Sequence, residues 1–370
     1  MYPRLRYLAV ALVAAPLILT ACADADLDGE DTTTEDASGS DSDSAGDPDQ
    51  GSASGELGGY EPVSDVDAHA RLVLDMCEVN EALPGDGELD DEAVRAAYTE
   101  GGSSQRGDGS NRTLQGAATG GHDEPLWNRY AEHFGSDTFA DDFVTAALEG
   151  TGEFDGEPDG VRRQGIQKGI QNQVLMAHVF HELDAAAAKV QAGETDAAEG
   201  APHNVDEAWA FYHGADPNCA PYATASKRGE DFGTGEAVNE SLLAATERMR
   251  DAAGEGDQAA FEEAYDEFVS TALVTYVQAT IKYGQVMGED LAGGDQEAAR
   301  VHQAEGYAFW RVLAPFIAEA DAAAAEEIDA VLALTAEPTE GEGDAIRAAL
   351  EGVYADLGID EEQVGEFQSS

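Results

Sequence analysis

The chain has 370 residues and a formal net charge of −57, from 76 Asp and Glu against 19 Lys and Arg. Nucleic acid and anionic membrane surfaces would be repelled by such a chain, so neither is expected as a partner. Its length allows one large domain or two small ones.

At the N-terminus, Arg4 and Arg6 form a short basic region, followed by an apolar run from Tyr7 to Leu19. Such a run suits a signal peptide and is too short to span a bilayer. It ends in Leu19-Thr20-Ala21-Cys22, which matches the lipobox of bacterial lipoproteins. Residues 1–22 are therefore expected to be a lipoprotein signal ending at Cys22, the lipidation site. The mature chain would then be extracytoplasmic and tethered to the cell membrane. Residues 23–65 are rich in Asp, Ser, Thr, Gly and Glu, with little to bury, and read as a disordered acidic linker. The remaining acid is spread along the whole chain. It fits a surface adapted to high salt, with cation capture as the alternative.

The folded part, 66–357, reads as helical, with apolar residues at three- and four-residue spacing and abundant Ala. The first helix runs over 66–83 and a shorter one over 92–99. Residues 101–121 read as a polar, Gly-rich loop. Helices follow at 125–134 and 138–148, then a long one over 161–191 with Gly193 as C-cap. A short aromatic helix spans 204–213. Residues 216–234, with Pro217, Pro221 and several glycines, read as a structured loop. Helices over 236–250, 258–291, 297–334 and 344–357 complete the domain, and 358–370 is a tail. The expected fold class is all-α, an antiparallel helical bundle preceded by the disordered tether. Cys77 and Cys219 are the cysteines left after Cys22; in an oxidising compartment they are expected to pair, the alternative being two separate buried thiols.

The order Glu207-Ala208-Trp209-Ala210-Phe211-Tyr212 is echoed by Glu305-Gly306-Tyr307-Ala308-Phe309-Trp310. Each follows a long helix ending at a glycine, so a duplicated helical hairpin is expected.

Candidate chemistry lies on the same helices. His178 and Glu182, at i and i+4, share one helix face with His181 beside them. His203 and Glu207 repeat that spacing, and Glu207 is set among Trp209 and Phe211. A buried carboxylate must be paired, protonated or metal-bound, so these residues form a candidate metal set or else a polar network that fixes helix register. Glu305 either joins the set or forms a buried ion pair with Lys282 or Arg311. His181-Glu182-Leu183-Asp184-Ala185 begins like a zincin motif, but Ala185 stands where the second histidine is needed. Nucleophile-elbow, P-loop, dinucleotide and di-iron Glu-x-x-His signatures do not occur, so no enzyme is expected.

Several ordered motifs carry a resemblance: Lys168-Gly169, His181-Glu182-Leu183-Asp184, His203 through Tyr212, Lys227-Arg228-Gly229-Glu230-Asp231-Phe232-Gly233-Thr234, Ile281-Lys282-Tyr283 and Glu305 through Arg311. Together they resemble the low-iron-inducible periplasmic, or Fe-assimilating, proteins of algae, over roughly Asp67 to Leu334. That resemblance implies secretion, a response to iron starvation, and iron binding that aids uptake; some members are also tied to growth at high carbon dioxide. It implies iron, of undetermined oxidation state, as the ligand and an iron importer as a partner. His178, Glu182, Glu207, His181, His203 and Glu305 are the candidate ligands, iron suiting carboxylate oxygen with some imidazole. The lipobox and tether depart from the family and suggest a surface-anchored version. The rival expectation is a metal-free helical scaffold whose aromatic helices dock a partner.

Overall fold

Short polar side chains mark the helix starts of this chain. In the computed structural model, which describes residues 54–83, 89–120 and 122–368, Asp90, Thr113, Asp257, Asp295 and Asp321 each accept a hydrogen bond from a backbone N–H of the turn they open. The elements in order are α1 (Asp67–Ala70), α2 (Leu72–Ala82), α3 (Asp91–Thr99), α4 (Leu114–Thr119), α5 (Pro125–Phe134), α6 (Phe139–Glu149), α7 (Asp159–Lys168), α8 (Leu175–Ala192), α9 (Ala201–His213), α10 (Pro221–Phe232), α11 (Ala237–Glu255), α12 (Gln258–Gly293), α13 (Gln296–Ala320), α14 (Ala322–Leu332), α15 (Gly343–Glu351) and α16 (Glu361–Val364). Among the described residues there is no strand, only two isolated bridges. No described helix is long and apolar enough to cross a membrane. Cys22 and the tether as far as residue 53 lie outside the described residues.

The all-α bundle is as expected. α8 packs on α9, and α12 packs on both α11 and α13. The hairpins α8–α9 and α12–α13 carry the two copies of the internal echo. At the first, Gly193 adopts φ 76°, and the N–H groups of Gly193 and Glu194 close back on the carbonyls of Val190 and Lys189. A side chain at that φ would be strained, which is why the long helix stops there. Trp127, Trp209 and Trp310 are buried in one continuous core with aromatic and aliphatic residues from nearly every helix. Cys77 on α2 and Cys219, in a 3-10 turn before α10, are joined by a disulfide with Cα atoms 5.3 Å apart.

Several local expectations are corrected. The stretch 216–234 is mostly helix: Pro221 occupies the first turn of α10, where a missing N–H costs nothing. α4 forms inside the expected 101–121 loop because Thr113 caps it and Leu114, Ala117 and Ala118 are buried. The long helix over 161–191 is α7 and α8 joined by a buried π-helical segment, Gly169–Val174. The helix over 297–334 is divided at Asp321, which leaves helical geometry to cap α14.

Residues 54–65, expected as the end of the disordered linker, are ordered. Tyr60 and Ser64 are buried, and Asp206 on α9 accepts four hydrogen bonds from this segment: Tyr60 Oη at 2.6 Å, Val63 N at 2.9 Å, Ser64 N at 2.8 Å and Ser64 Oγ at 2.6 Å. Trp209 Nε1 also donates to the Leu57 carbonyl. The tail docks too: Val364 is buried, its carbonyl accepts from Gln278, and Gln368 N donates to the Asp231 carbonyl.

Candidate metal centre

Five histidines and three glutamates meet where α8, α9, α1 and the segment before α5 come together. α8 supplies His178, His181 and Glu182, and α9 supplies His203, Asn204 and Glu207. α1 adds His69, and the loop between α4 and α5 adds His122 and Glu124. Asp184 on α8 fixes that loop by accepting from Leu126 N at 2.7 Å, at the start of α5, and from Tyr265 Oη at 2.6 Å.

The inner part centres on two carboxylates. Glu207 Oε1 lies 2.8 Å from His69 Nε2 and 3.1 Å from His203 Nε2. Asn204 Nδ2 donates to Glu182 Oε2 at 2.6 Å and to Glu207 Oε2 at 3.2 Å, joining the pair. Glu182 Oε1 lies 3.7 Å from His178 Nε2 and 4.0 Å from His181 Nε2. A cation bound at about 2.1 Å sets neighbouring ligand atoms about 3.0–3.4 Å apart. The spacings around Glu207 are already near that range.

Burial, then the charge of Glu207 and the hydrogen bond with it, hold the Glu182 carboxyl well above the usual range. Burial also opposes ionisation of Glu207, but the hydrogen bonds from His203 and His69 outweigh it and keep its pKa low. The hydrogen bond to Glu207 raises His203 against its own burial. Burial, and after it the neighbouring His181 and His122, push the pKa of His178 well down, leaving a neutral imidazole. The shifts thus favour an ionised Glu207 held by His203, beside a Glu182 that keeps its proton more readily than an exposed carboxyl.

His203 is oriented from behind. The Ser64 hydroxyl gives its proton to Asp206, so at 2.8 Å it accepts from His203 Nδ1–H. Nε2 is then the nitrogen that faces Glu207, and its lone pair becomes available once the ring loses its proton. The side-chain nitrogen Nδ1 of His178 is buried and has no hydrogen-bond partner among the described residues.

Of the six expected ligands, His178, His181, Glu182, His203 and Glu207 converge. Glu305 does not join them. It is buried on α13, accepts from Tyr283 Oη at 2.7 Å, and pairs with Lys168 at 3.2 Å. An ion pair there was one of the two expectations, and Lys168 of α7 forms one; Lys282 reaches Asp231 and Arg311 faces Glu153. His69, His122, Glu124 and Asn204 were missed by sequence reasoning. His69 and His122 are lone histidines without a helical partner residue, and only the His-x-Glu spacing of His122 and Glu124 could have drawn notice. Cys77, Cys219 and Asp216 also cluster, but the disulfide removes both thiolates.

The family model Fea1, described as low iron-inducible periplasmic protein, matches residues 37–370. No curated protein and no solved structure matches the chain.

Proposed function

The chain belongs to the low iron-inducible periplasmic protein family, and from that premise we propose that it is an extracytoplasmic iron-binding protein, anchored through lipid at Cys22, that captures iron and passes it to an importer. Iron is its cargo, and it acts as a carrier with no catalytic turnover. Glu182, Glu207, His203 and His69 are the donors, with His178 beside them. The observation that carries the reading is the convergence of His69 and His203 on one oxygen of Glu207, with Asn204 tying Glu182 alongside.

Such a set suits iron in either common oxidation state, with two carboxylates for charge and imidazoles to complete the sphere. Binding replaces the protons on Glu182 and His203 with the cation. The helical donors are held in place beforehand, by Ser64 behind His203 and by Asn204 between the glutamates, so little ordering is needed.

One observation favours a second reading. Glu207 is already satisfied by its two histidines, as a polar core that fixes helix register would require. The Glu182→Gln/Glu207→Gln double variant separates the two. It keeps the size of both side chains while removing the acidic groups. An iron centre predicts at least a hundredfold loss of iron affinity by calorimetry with the circular dichroism spectrum unchanged; parent-like affinity would place the site elsewhere. The anchor is tested by Cys22→Ser, which should leave the protein unprocessed or released from membranes. A Cys22→Ser chain that still fractionates as a lipid-modified membrane protein would refute lipidation at this residue.

A further inference from the structure

We propose that His122, Glu124 and His181 form a second, outer cation site beside the inner one, suited to a divalent transition metal ion such as ferrous iron. One ligand atom from each residue lies within 4.8 Å of the others. Glu124 Oε2 is 3.1 Å from His181 Nδ1 and 3.9 Å from His122 Nδ1. The first spacing already suits two ligands of one cation, and only the second would have to close by about half an ångström.

The outer residues are held in this arrangement by the fold. The His122 ring stacks on His181 with centroids 3.5 Å apart and 27° between planes, and its edge meets Trp127 at 4.6 Å. Behind it, a Cβ on Gly120 would fall 2.2 Å from His122 Nε2, so only a glycine lets the ring lie where it does. Glu124 directly precedes α5, whose first turn is fixed to Asp184. Stacked imidazoles repel when both are charged, and burial with the neighbouring His181 brings His122 down to about 4. The ring is therefore a neutral ligand under ordinary conditions.

Two imidazoles and one carboxylate with the remaining positions open are the donor set of ferrous-type sites, softer than the inner glutamate pair. The outer site is also nearer solvent: the Glu124 side chain is 23% exposed and that of Glu182 8%. His181 forms the wall between the two. With Nδ1 turned to the outer cation, its proton sits on Nε2, which faces Glu182 Oε1 at 4.0 Å. An ion in the outer site is thus sensed by an inner ligand through one ring. The inner site's role rests on the reading above, but the outer ligands are separate residues, so the two can fail separately.

The test is an anaerobic titration of the metal-free chain with ferrous iron alone, counting bound metal after gel filtration. Cobalt(II) absorption in parallel reports coordination. The parent is expected to hold two ions, His122→Asn/Glu124→Gln one, and Glu182→Gln/Glu207→Gln one. Gly120→Ala, which displaces only the His122 ring, should weaken the outer ion about tenfold and leave the inner one. Circular dichroism and melting profiles check that each variant is folded. A parent that binds one ion, kept by His122→Asn/Glu124→Gln, overturns the outer site and leaves the inner reading standing. A single ion lost in both double variants also overturns it, as does a second ion that His122→Asn/Glu124→Gln retains. A parent that binds no iron overturns both readings.

Discussion

Glu182 and Glu207 show how one fold sets two like side chains apart. Burial and the charge of Glu207 keep the proton on Glu182, while His203 and His69 strip it from Glu207. His203 in turn is raised from its ordinary 6.5 by that same contact. All three directions have one consequence for binding. Below the raised values of Glu182 and His203 the free protein holds protons that a cation must displace, so iron affinity should climb with pH and protons should be released. The climb continues through 6.5, because His203 is raised above it, and levels off once both groups have lost their protons. Calorimetry in buffers of different ionisation heat should show roughly one to two protons released per iron. Binding heats that do not depend on the buffer would remove the displacement. The i, i+4 pairs behind this chemistry, His178 with Glu182 and His203 with Glu207, were legible because helical spacing alone puts them on one face. His69, His122 and Glu124 were not, since they reach the site from two other segments, α1 and the loop before α5, and little local marks a histidine whose partner is supplied by packing.

Among the elements, the long helices and their glycine ends were legible from periodicity, and the duplicated hairpin from the aromatic echo. The failures have physical causes. Prolines at 217 and 221 looked like loop signals, yet both open helical turns, where proline's fixed φ fits. Residues 54–65 carry too few apolar side chains to predict order, and they are held instead by the Asp206 carboxylate. The echo misled about the second glutamate, because Glu305 is paired with Lys168 of α7, a cation from another helix of the bundle. The disulfide joins two such distant elements, with 142 residues of separation between Cys77 and Cys219. Closing a loop of that length in the unfolded chain stabilises the fold by about 5 kcal/mol in the chain-entropy account. Reductant should therefore lower the urea midpoint markedly, and a Cys77→Ala/Cys219→Ala chain should match the reduced parent. Equal midpoints with and without reductant would show that the bond contributes nothing.

For the molecule as a whole, the charge of −57 dominates. Few of these carboxylates have a cationic neighbour, with 76 acidic residues against 19 Lys and Arg, so self-repulsion at low ionic strength opposes the compact state. The melting temperature should rise from low salt to molar sodium chloride as that repulsion is screened. A flat profile would remove salt adaptation as the reason for the acid. Bulk acidity was legible at once, but it said nothing of where cations bind: the candidate centre uses few of these carboxylates, and those it uses are set apart by histidines and burial.

Asp206 and Glu207 are neighbours on α9, one clamping residues 60–64 and the other facing the centre. Considered as a mechanical linkage, a pull on Ser54 reaches α9 first at Trp209, through the Leu57 carbonyl, and then at Asp206, where four hydrogen bonds share the load. The next bond along the path, donated by His203 Nδ1–H to Ser64 Oγ, is the one that sets the histidine's orientation. A change at the clamp therefore lies one hydrogen bond away from the histidine that faces Glu207.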